Sequence, residues 1–260
     1  MAQFCPLFSG SSGNCTYLGT AAGGILIDAG VSAKRIETAL LSRQINPSAL
    51  KAIFVTHEHT DHTNGVRVLA KRYGLPVYAS AGTLTGMERA VDVTTDLRLM
   101  PQEVDIAGVG VRAVALSHDA RQPTGYEMTL ADGRKLAVVT DTGIVTDEIR
   151  RTLMRCDVVL LESNHDVGML RNGSYPYVLQ ERILGDHGHL SNDTCAALLP
   201  YLVEGGVTHI VLGHLSRENN TPELARRTAV TRLAQAGLRE NLDYRLYVAQ
   251  PESDQPLMRV

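Results

Sequence analysis

The chain has 260 residues, of which 44% are hydrophobic and 20% charged, and a formal net charge of −3. This length and composition predict a single globular domain over residues 1–260 with a well-buried core. The small net charge excludes a strong overall attraction to polyanions, so any nucleic-acid contact has to come from local cations or bound metal. There is no signal-peptide pattern and no run approaching the roughly 20 apolar residues that span a bilayer, so we expect a cytoplasmic protein without a membrane partner.

The four cysteines are dispersed along the chain, at Cys5, Cys15, Cys156 and Cys195, and form no CxxC pair. This spacing favours neither a zinc knuckle nor a compact disulfide framework, and predicts four reduced, packed thiols. No sequence pattern predicts an oligomeric state.

Predicted strands and helices alternate along most of the chain. The chain opens with a predicted β-hairpin, residues 4–8 and 15–18 around a tip at 9–14. Short apolar runs predict buried strands at 24–28, 52–57, 75–79, 109–118, 136–141, 158–162 and 209–214. Helical periodicity and capping residues predict helices at 32–41, 62–73, 146–155, 191–202 and 222–236. Residues 171–188 are the least regular and predict a long loop with a short helix.

A dense group of metal-ligand residue types follows the second predicted strand of this series, in the run Thr56-His57-Glu58-His59-Thr60-Asp61-His62. Imidazole nitrogens and carboxylate oxygens are ligands for divalent cations. The alternate residues His57 and His59 can point one way, while Asp61 and His62 turn toward a neighbouring ion. The spacing therefore predicts two metal ions.

Three more candidate ligands close predicted strands, namely His118, Asp141 and His214. Any one of them alone is more simply explained as a hydrogen-bonded polar residue at a strand end. Five histidines and two aspartates at such positions are hard to explain as separate accidents, and together they favour a metal site.

The HxHxDH motif, followed in order by His118, Asp141 and His214, resembles the metallo-β-lactamase superfamily over nearly the whole chain. The resemblance implies an α/β fold, the αββα sandwich, in which two central mixed β-sheets are flanked by helices. It also implies that His57, His59 and His118 hold one metal, that Asp61, His62 and His214 hold a second, and that Asp141 bridges them. Zinc, manganese and iron all suit such a site, so the sequence leaves the metal open.

Further motifs indicate which group within the superfamily the sequence resembles. Lactam-hydrolysing members commonly replace a second-site ligand with Cys or lack the bridging carboxylate, whereas His62 and Asp141 are both present here. Four segments, 9–15, 162–166, 187–192 and 213–220, are similar to the YycJ (WalJ) group, which is associated with 5′-to-3′ DNA exonuclease activity. The interval from Asp141 to His214 is too short for the inserted domain of the RNA-processing β-CASP nucleases.

A phosphodiester substrate suits these residues. Two dications about 3.5–4 Å apart can deprotonate a bridging water to give the nucleophile and stabilise the leaving oxygen. Asp61 is a candidate to orient this nucleophile. His189 is preferred over His187 to protonate the leaving alkoxide, although His189 is otherwise explained as a residue that only supports the ligands.

Two loops are candidate substrate-binding segments. Around Ser11, Ser12 and Asn14, glycines allow close approach of backbone N–H groups to an anion, but a plain hairpin turn explains this loop equally well. After His214, the candidates for holding a phosphate or a base are Arg217, Asn219 and Asn220, and the alternative is an ordinary solvent-exposed loop. Asp28 is predicted to be structural, accepting hydrogen bonds from the backbone of the metal loop.

The leading hypothesis is a two-metal phosphodiesterase that acts as a 5′-to-3′ exonuclease on DNA ends. The second enzymatic hypothesis is that the same residues hydrolyse RNA, a small phosphodiester, a thioester or a lactone. A non-catalytic regulator would be marked by lost ligands, and none is lost here.

Overall fold

Seven strands form each of the two β-sheets in the computed structural model, which describes residues 2–87, 91–253 and 257–260. The first sheet has the order β14-β1-β2-β3-β4-β5-β6, with antiparallel pairs from β14 to β3 and parallel pairs from β3 to β6. Its strands are Gln3–Phe8 (β1), Cys15–Thr20 (β2), Gly23–Ile27 (β3), Leu50–Phe54 (β4), Val77–Ala79 (β5), Leu97–Leu99 (β6) and Met258–Arg259 (β14).

The second sheet has the order β13-β12-β11-β10-β9-β8-β7. Strands β10 to β13 are parallel, and β7 pairs with β8 in antiparallel fashion. The strands are Val104–Ile106 (β7), Val109–Ala115 (β8), Thr124–Leu130 (β9), Lys135–Val139 (β10), Val158–Glu162 (β11), His209–Gly213 (β12) and Arg245–Val248 (β13). Because parallel strands end at the same edge, residues that follow β10, β11 and β12 come together.

Nine α-helices and one short 3₁₀ helix, Pro47–Ala49, lie in the described part of the chain. The helices are Ala33–Leu41 (α1), Thr60–Thr63 (α2), Val66–Tyr73 (α3), Ala81–Gly86 (α4), Asp147–Leu153 (α5), Val167–Asn172 (α6), Tyr177–Leu184 (α7), Asn192–Glu204 (α8) and Pro222–Gln235 (α9). None of the described helices is long and apolar enough to cross a membrane.

The chain divides into two compact units, each with its own apolar core. The first unit comprises Met1–Ala113, Ala120–Arg134 and Gln250–Val260, and the second comprises Val114–Asp119 and Lys135–Ala249. The first core includes Leu26, Ile53, Leu69 and Val77, and the second includes Val139, Leu161, Leu199 and Leu212. The expectation of one domain over residues 1–260 stays a prediction. All four cysteines are free and buried, as predicted.

The predicted helix over residues 62–73 is wrong in one respect, because the structure divides it into α2 and α3 at Gly65. The Gly65 N–H donates to the carbonyl of Ala29 at 2.7 Å. A Cβ atom on Gly65 would lie 2.4 Å from the carbonyl oxygen of Val31. Backbone contact with residues 29–31 therefore ends the first helix, and only glycine allows that approach.

The short helix predicted within the segment 171–188 is confirmed by α7. Helix α6 ends inside this segment at Asn172, and α7 occupies Tyr177–Leu184. Other elements were not predicted because they are short or lack a clear apolar period, namely β6, β7, β9, β13, β14, α4, α6 and the 3₁₀ helix.

Candidate metal centre

The HxHxDH run of the first unit begins three residues after Phe54, the last residue of β4, and His57 and His62 within it are fully buried. The Nε2 atom of His57 lies 3.0 Å from Nδ1 of His59, and Nε2 of His62 lies 3.6 Å from Oδ2 of Asp61. Two ligand atoms bound tetrahedrally to one zinc ion lie about 3.4 Å apart, as follows from bond lengths of about 2.1 Å. Both pairs are therefore spaced as ligands that share an ion.

Asp28, which directly follows β3, holds this run in place from the neighbouring strand end. Its Oδ1 accepts the Thr56 N–H at 2.8 Å, and its Oδ2 accepts a hydrogen bond from Nδ1 of His62 at 2.8 Å. Because a carboxylate only accepts, Nδ1 of His62 carries the proton and Nε2 offers its lone pair. Burial raises the pKa of Asp28, although the adjacent His62 acts in the opposite direction. The structural role predicted for Asp28 is confirmed.

The hairpin tip contacts the same run through Asn14. The Asn14 N–H donates to the carbonyl of Asp61 at 2.8 Å, and its side-chain Nδ2 lies 3.1 Å from Nε2 of His62. Gly30 is essential to this contact, because a Cβ on it would lie 1.6 Å from the Asp61 carbonyl oxygen. Ser11 and Ser12 are exposed at the tip. A phosphate-binding role for these three residues stays a prediction.

In the second unit, one oxygen of Asp141 lies close to two imidazoles. Its Oδ1 is 3.9 Å from Nε2 of His118 and 3.4 Å from Nε2 of His214. Nδ1 of His118 is itself 3.1 Å from the carbonyl of Gly188, which requires a proton on that nitrogen and leaves Nε2 as the donor of a lone pair. One carboxylate oxygen therefore lies close to two imidazole nitrogens, and the bridging role of Asp141 stays a prediction.

Glu162, at the end of β11, fixes two of these histidines and was not predicted as a site residue. Its Oε1 accepts from Nδ1 of His189 at 2.8 Å and from Nδ1 of His214 at 2.9 Å, and its Oε2 accepts the Thr142 and Leu190 N–H groups. Burial raises the pKa of Glu162, but the two imidazoles outweigh this effect and hold it well below its usual range. The signal in the sequence that could have identified Glu162 is its position, because it is a carboxylate at the end of a predicted strand, as Asp141 is.

His189 belongs to the same cluster. Ligand atoms of His189, Asp141, Glu162 and His214 all lie within 4.8 Å of one another. Burial lowers the pKa of His189, but the charge and hydrogen bond of Glu162 outweigh it and raise the pKa to about 9. His187, the alternative proton donor, is exposed, and its Nδ1 lies 3.0 Å from the hydroxyl of Ser117.

Three of these residues have unusual backbone geometry. Asp28, Asp141 and His214 follow β3, β10 and β12 and adopt φ angles of 62°, 63° and 55°. Non-glycine residues in this left-handed region are uncommon, cost on the order of 1–3 kcal/mol each and concentrate at functional sites. Of the six non-glycine residues with positive φ in the described part of the chain, these three carry carboxylates and an imidazole just beyond strand ends.

Comparison with known proteins identifies the family. Residues 24–215 match the family described as the beta-lactamase superfamily domain. The chain belongs to this superfamily. It is 40% identical to exodeoxyribonuclease WalJ of Streptococcus pneumoniae, covering 99% of this chain and 98% of that one. It is also 38% identical to exodeoxyribonuclease YycJ of Bacillus anthracis, with 96% of each chain covered.

A solved structure supports the fold. The metallo-β-lactamase fold protein YhfI of Bacillus subtilis matches with a TM-score of 0.70 and 14% identity, covering 97% of this chain and 98% of that chain. With two seven-stranded mixed sheets and flanking helices, the predicted metallo-β-lactamase fold class is confirmed.

The loop after His214 contains three candidate substrate-binding residues, of which one is exposed and two are buried. Arg217 is exposed and makes no hydrogen bond or ion pair with any described residue. Asn219 and Asn220 are 2% and 5% exposed. Nδ2 of Asn220 donates to the carbonyls of Ser163 and Asn164, at 2.9 and 3.0 Å, and to Oδ1 of Asn192. This geometry leaves Arg217 as the accessible candidate, and substrate binding by all three residues stays a prediction.

For Asn220, the internal hydrogen bonds predict an effect on stability. Replacing Asn220 by Ala is expected to lower the free energy of unfolding by about 1–3 kcal/mol, because buried partners lose their hydrogen bonds. Urea denaturation measures this change. Asn172→Ala, which removes one hydrogen bond from an exposed amide, is the control and should change it by less than about 0.5 kcal/mol. If Asn220→Ala is as stable as the control while its KM for substrate rises, the residue binds substrate instead.

Proposed function

We propose that this protein is a metal-dependent phosphodiesterase that degrades DNA from its 5′ ends. The observation that carries the proposal is similarity over nearly the whole chain to two proteins named exodeoxyribonucleases. The ligand arrangements within each unit support it, because every ligand position that the superfamily resemblance implies is filled. A DNA substrate also suits the cytoplasmic location predicted from the sequence.

The proposed ligand set follows the superfamily order. His57, His59 and His118 would hold one divalent ion, and Asp61, His62 and His214 a second, with Asp141 as the bridge. The donor chemistry fits such ions, since the set combines imidazole nitrogens with carboxylate oxygens and suits zinc, manganese or iron. When bound, two such ions supply Lewis acidity that activates water and stabilises charge on a phosphoryl group.

The chain's own residues orient the reacting groups. Asp61, beside His62, is proposed to orient the attacking water. Asp28 and Glu162 fix the ring positions of His62 and His214 through their Nδ1 protons, so that each Nε2 is directed away from its carboxylate. His189 is proposed to protonate the leaving alkoxide, since its ring lies beside Asp141, with Nδ1 at 3.6 Å from Oδ1.

The role of His189 predicts a dependence on the leaving group. His189→Asn is expected to lower kcat on DNA by about 10²- to 10⁴-fold, the usual contribution of a positioned acid. Turnover of bis-p-nitrophenyl phosphate should fall far less, because p-nitrophenolate leaves without a proton. Steady-state kinetics on both substrates checks this, with His187→Asn as the matched control. An equal loss on the two substrates would show that His189 supports the ligands and does not deliver the proton.

The substrate class is tested by turnover on parallel substrates. Metal-loaded protein is incubated with 5′-labelled DNA, 5′-labelled RNA, bis-p-nitrophenyl phosphate and S-lactoylglutathione. We expect nucleotide release from DNA, abolished in Asp61→Ala. Cleavage of the thioester with every DNA end left intact would contradict the proposal.

A further inference from the structure

Helix α7 leaves its apolar N-terminal end in solvent. Tyr177 and Val178, its first two residues, are 69% and 80% exposed. Among the residues of α7 only Gln180 is buried, and its Nε2 donates to the carbonyl of Tyr175 at 2.9 Å. Aromatic side chains are scarce in this sequence, at 5% of residues, and burying Tyr177 would gain hydrophobic free energy. Adjacent exposed apolar residues of this kind mark interaction surfaces.

The other end of α7 is joined directly to the candidate metal centre of the same unit. The carbonyl of Ile183 accepts the His189 N–H at 2.9 Å. Arg182 forms an ion pair with Asp119, the neighbour of His118, and the Asp119 N–H donates to the carbonyl of His187 at 3.1 Å. The helix therefore extends outward from the residues that carry the chemistry, and its position relative to them is fixed by hydrogen bonds.

The charged side chains of α7 are both in ion pairs, so they do not repel the phosphates of a nucleic acid. Glu181 is paired with Arg171, and Arg182 with Asp119. A nucleic-acid strand that passes along this helix would therefore meet no unpaired carboxylate of α7. Tyrosine rings stack on any base, because every base has an aromatic face, and each stacked base contributes about 1–3 kcal/mol to single-strand binding.

We infer that the exposed N-terminal end of α7, formed by Tyr177 and Val178, is a stacking platform for bases of the DNA strand being degraded. This inference rests on the proposed function. Tyr177 precedes Ile183 by six residues, which corresponds to about 9 Å along the helix axis. At about 3.4 Å per stacked base, this length of helix corresponds to two to three nucleotides.

The test is the length dependence of KM for 5′-phosphorylated single-stranded oligonucleotides of two to eight residues. In the wild-type protein, KM is expected to fall once the oligonucleotide exceeds three or four residues. In Tyr177→Ala, the ratio of the dinucleotide KM to the hexanucleotide KM should shrink by about 5- to 150-fold, which corresponds to about 1–3 kcal/mol. Tyr177→Trp should restore the ratio.

The matched control is Tyr201→Ala, which removes another exposed tyrosine, 51% exposed and located in the third turn of α8. Its KM ratio should equal that of the wild type. An unchanged ratio in Tyr177→Ala would overturn the platform while leaving the exonuclease assignment intact. A change in sedimentation coefficient in Tyr177→Ala would also overturn it, in favour of an interface between two copies. If wild-type protein releases no nucleotide from any DNA, the platform and the proposed function both fail.

Discussion

Replacing Asp141 by Asn is expected to lower DNA turnover by at least about 10³-fold, because the carboxylate proposed to bridge the two metals loses its charge and one acceptor oxygen. The loss of several kcal/mol of charge stabilisation at a two-metal site has an effect of this size. Oδ1 of Asp141 lies 3.4 Å from Nε2 of His214 and 3.9 Å from Nε2 of His118. Steady-state kinetics and metal analysis of the purified variant measure the result.

Asparagine is the informative replacement at this position. Asp141 has a φ angle of 63°, and asparagine tolerates this left-handed conformation as readily as aspartate does, so the backbone strain is unchanged. Asp157→Asn is the matched control in the same unit, because its side chain accepts the Lys135 N–H at 2.8 Å and an amide oxygen can do the same. Full turnover and normal metal content in Asp141→Asn would exclude this residue as a ligand.

Glu162→Gln is expected to have the second largest effect, although Glu162 is proposed to touch neither substrate nor metal. Both carboxylate oxygens of Glu162 accept two hydrogen bonds, one from a pair of imidazoles and the other from a pair of backbone N–H groups. A glutamine offers one oxygen and one NH₂ group, so in either orientation its NH₂ faces two donors. The variant should bind metal 10- to 100-fold more weakly, the usual cost of losing such a supporting group.

Stability should fall in the same variant. Donors left without an acceptor in a fully buried position cost about 2 kcal/mol or more of unfolding free energy. Glu127→Gln is the matched control, since Glu127 is also buried but pairs with Arg112 in the first unit. The control should lose stability without losing metal affinity. Competition with a chelator and urea denaturation separate the two effects, and unchanged metal affinity in Glu162→Gln would contradict the role assigned here.

The sequence predicted the candidate ligands because their chemistry and their positions are both visible in it. A run such as His57 to His62 has few explanations other than metal binding, and apolar strands that stop at Asp141 and His214 place those residues at a sheet edge. The parallel order of β10, β11 and β12 then brings together strand ends that are far apart along the chain.

Other features depend on contacts that a single sequence does not display. The sequence shows that Glu162 is a carboxylate at a strand end, but only the fold shows that two imidazoles donate hydrogen bonds to it. Strand β9 has no strict apolar period, and it is stabilised by tertiary contacts such as the Tyr126 hydroxyl donating to the Val55 carbonyl. Helix α7 was predicted only as a short helix without bounds inside a long loop, because its exposed Tyr177 and Val178 do not give the pattern of a helix packed on a core.

Whether the protein is a two-metal exonuclease is tested by nucleotide release from metal-free protein that is reconstituted separately with zinc, manganese and iron. The substrates are the same DNA with a 5′-phosphate or a 5′-hydroxyl, and bound metal is counted in parallel. We expect two ions per chain and release of mononucleotides from the 5′ end with at least one of the metals. If the protein binds two ions per chain yet leaves both DNA ends intact with all three metals, it is not an exonuclease acting on DNA ends.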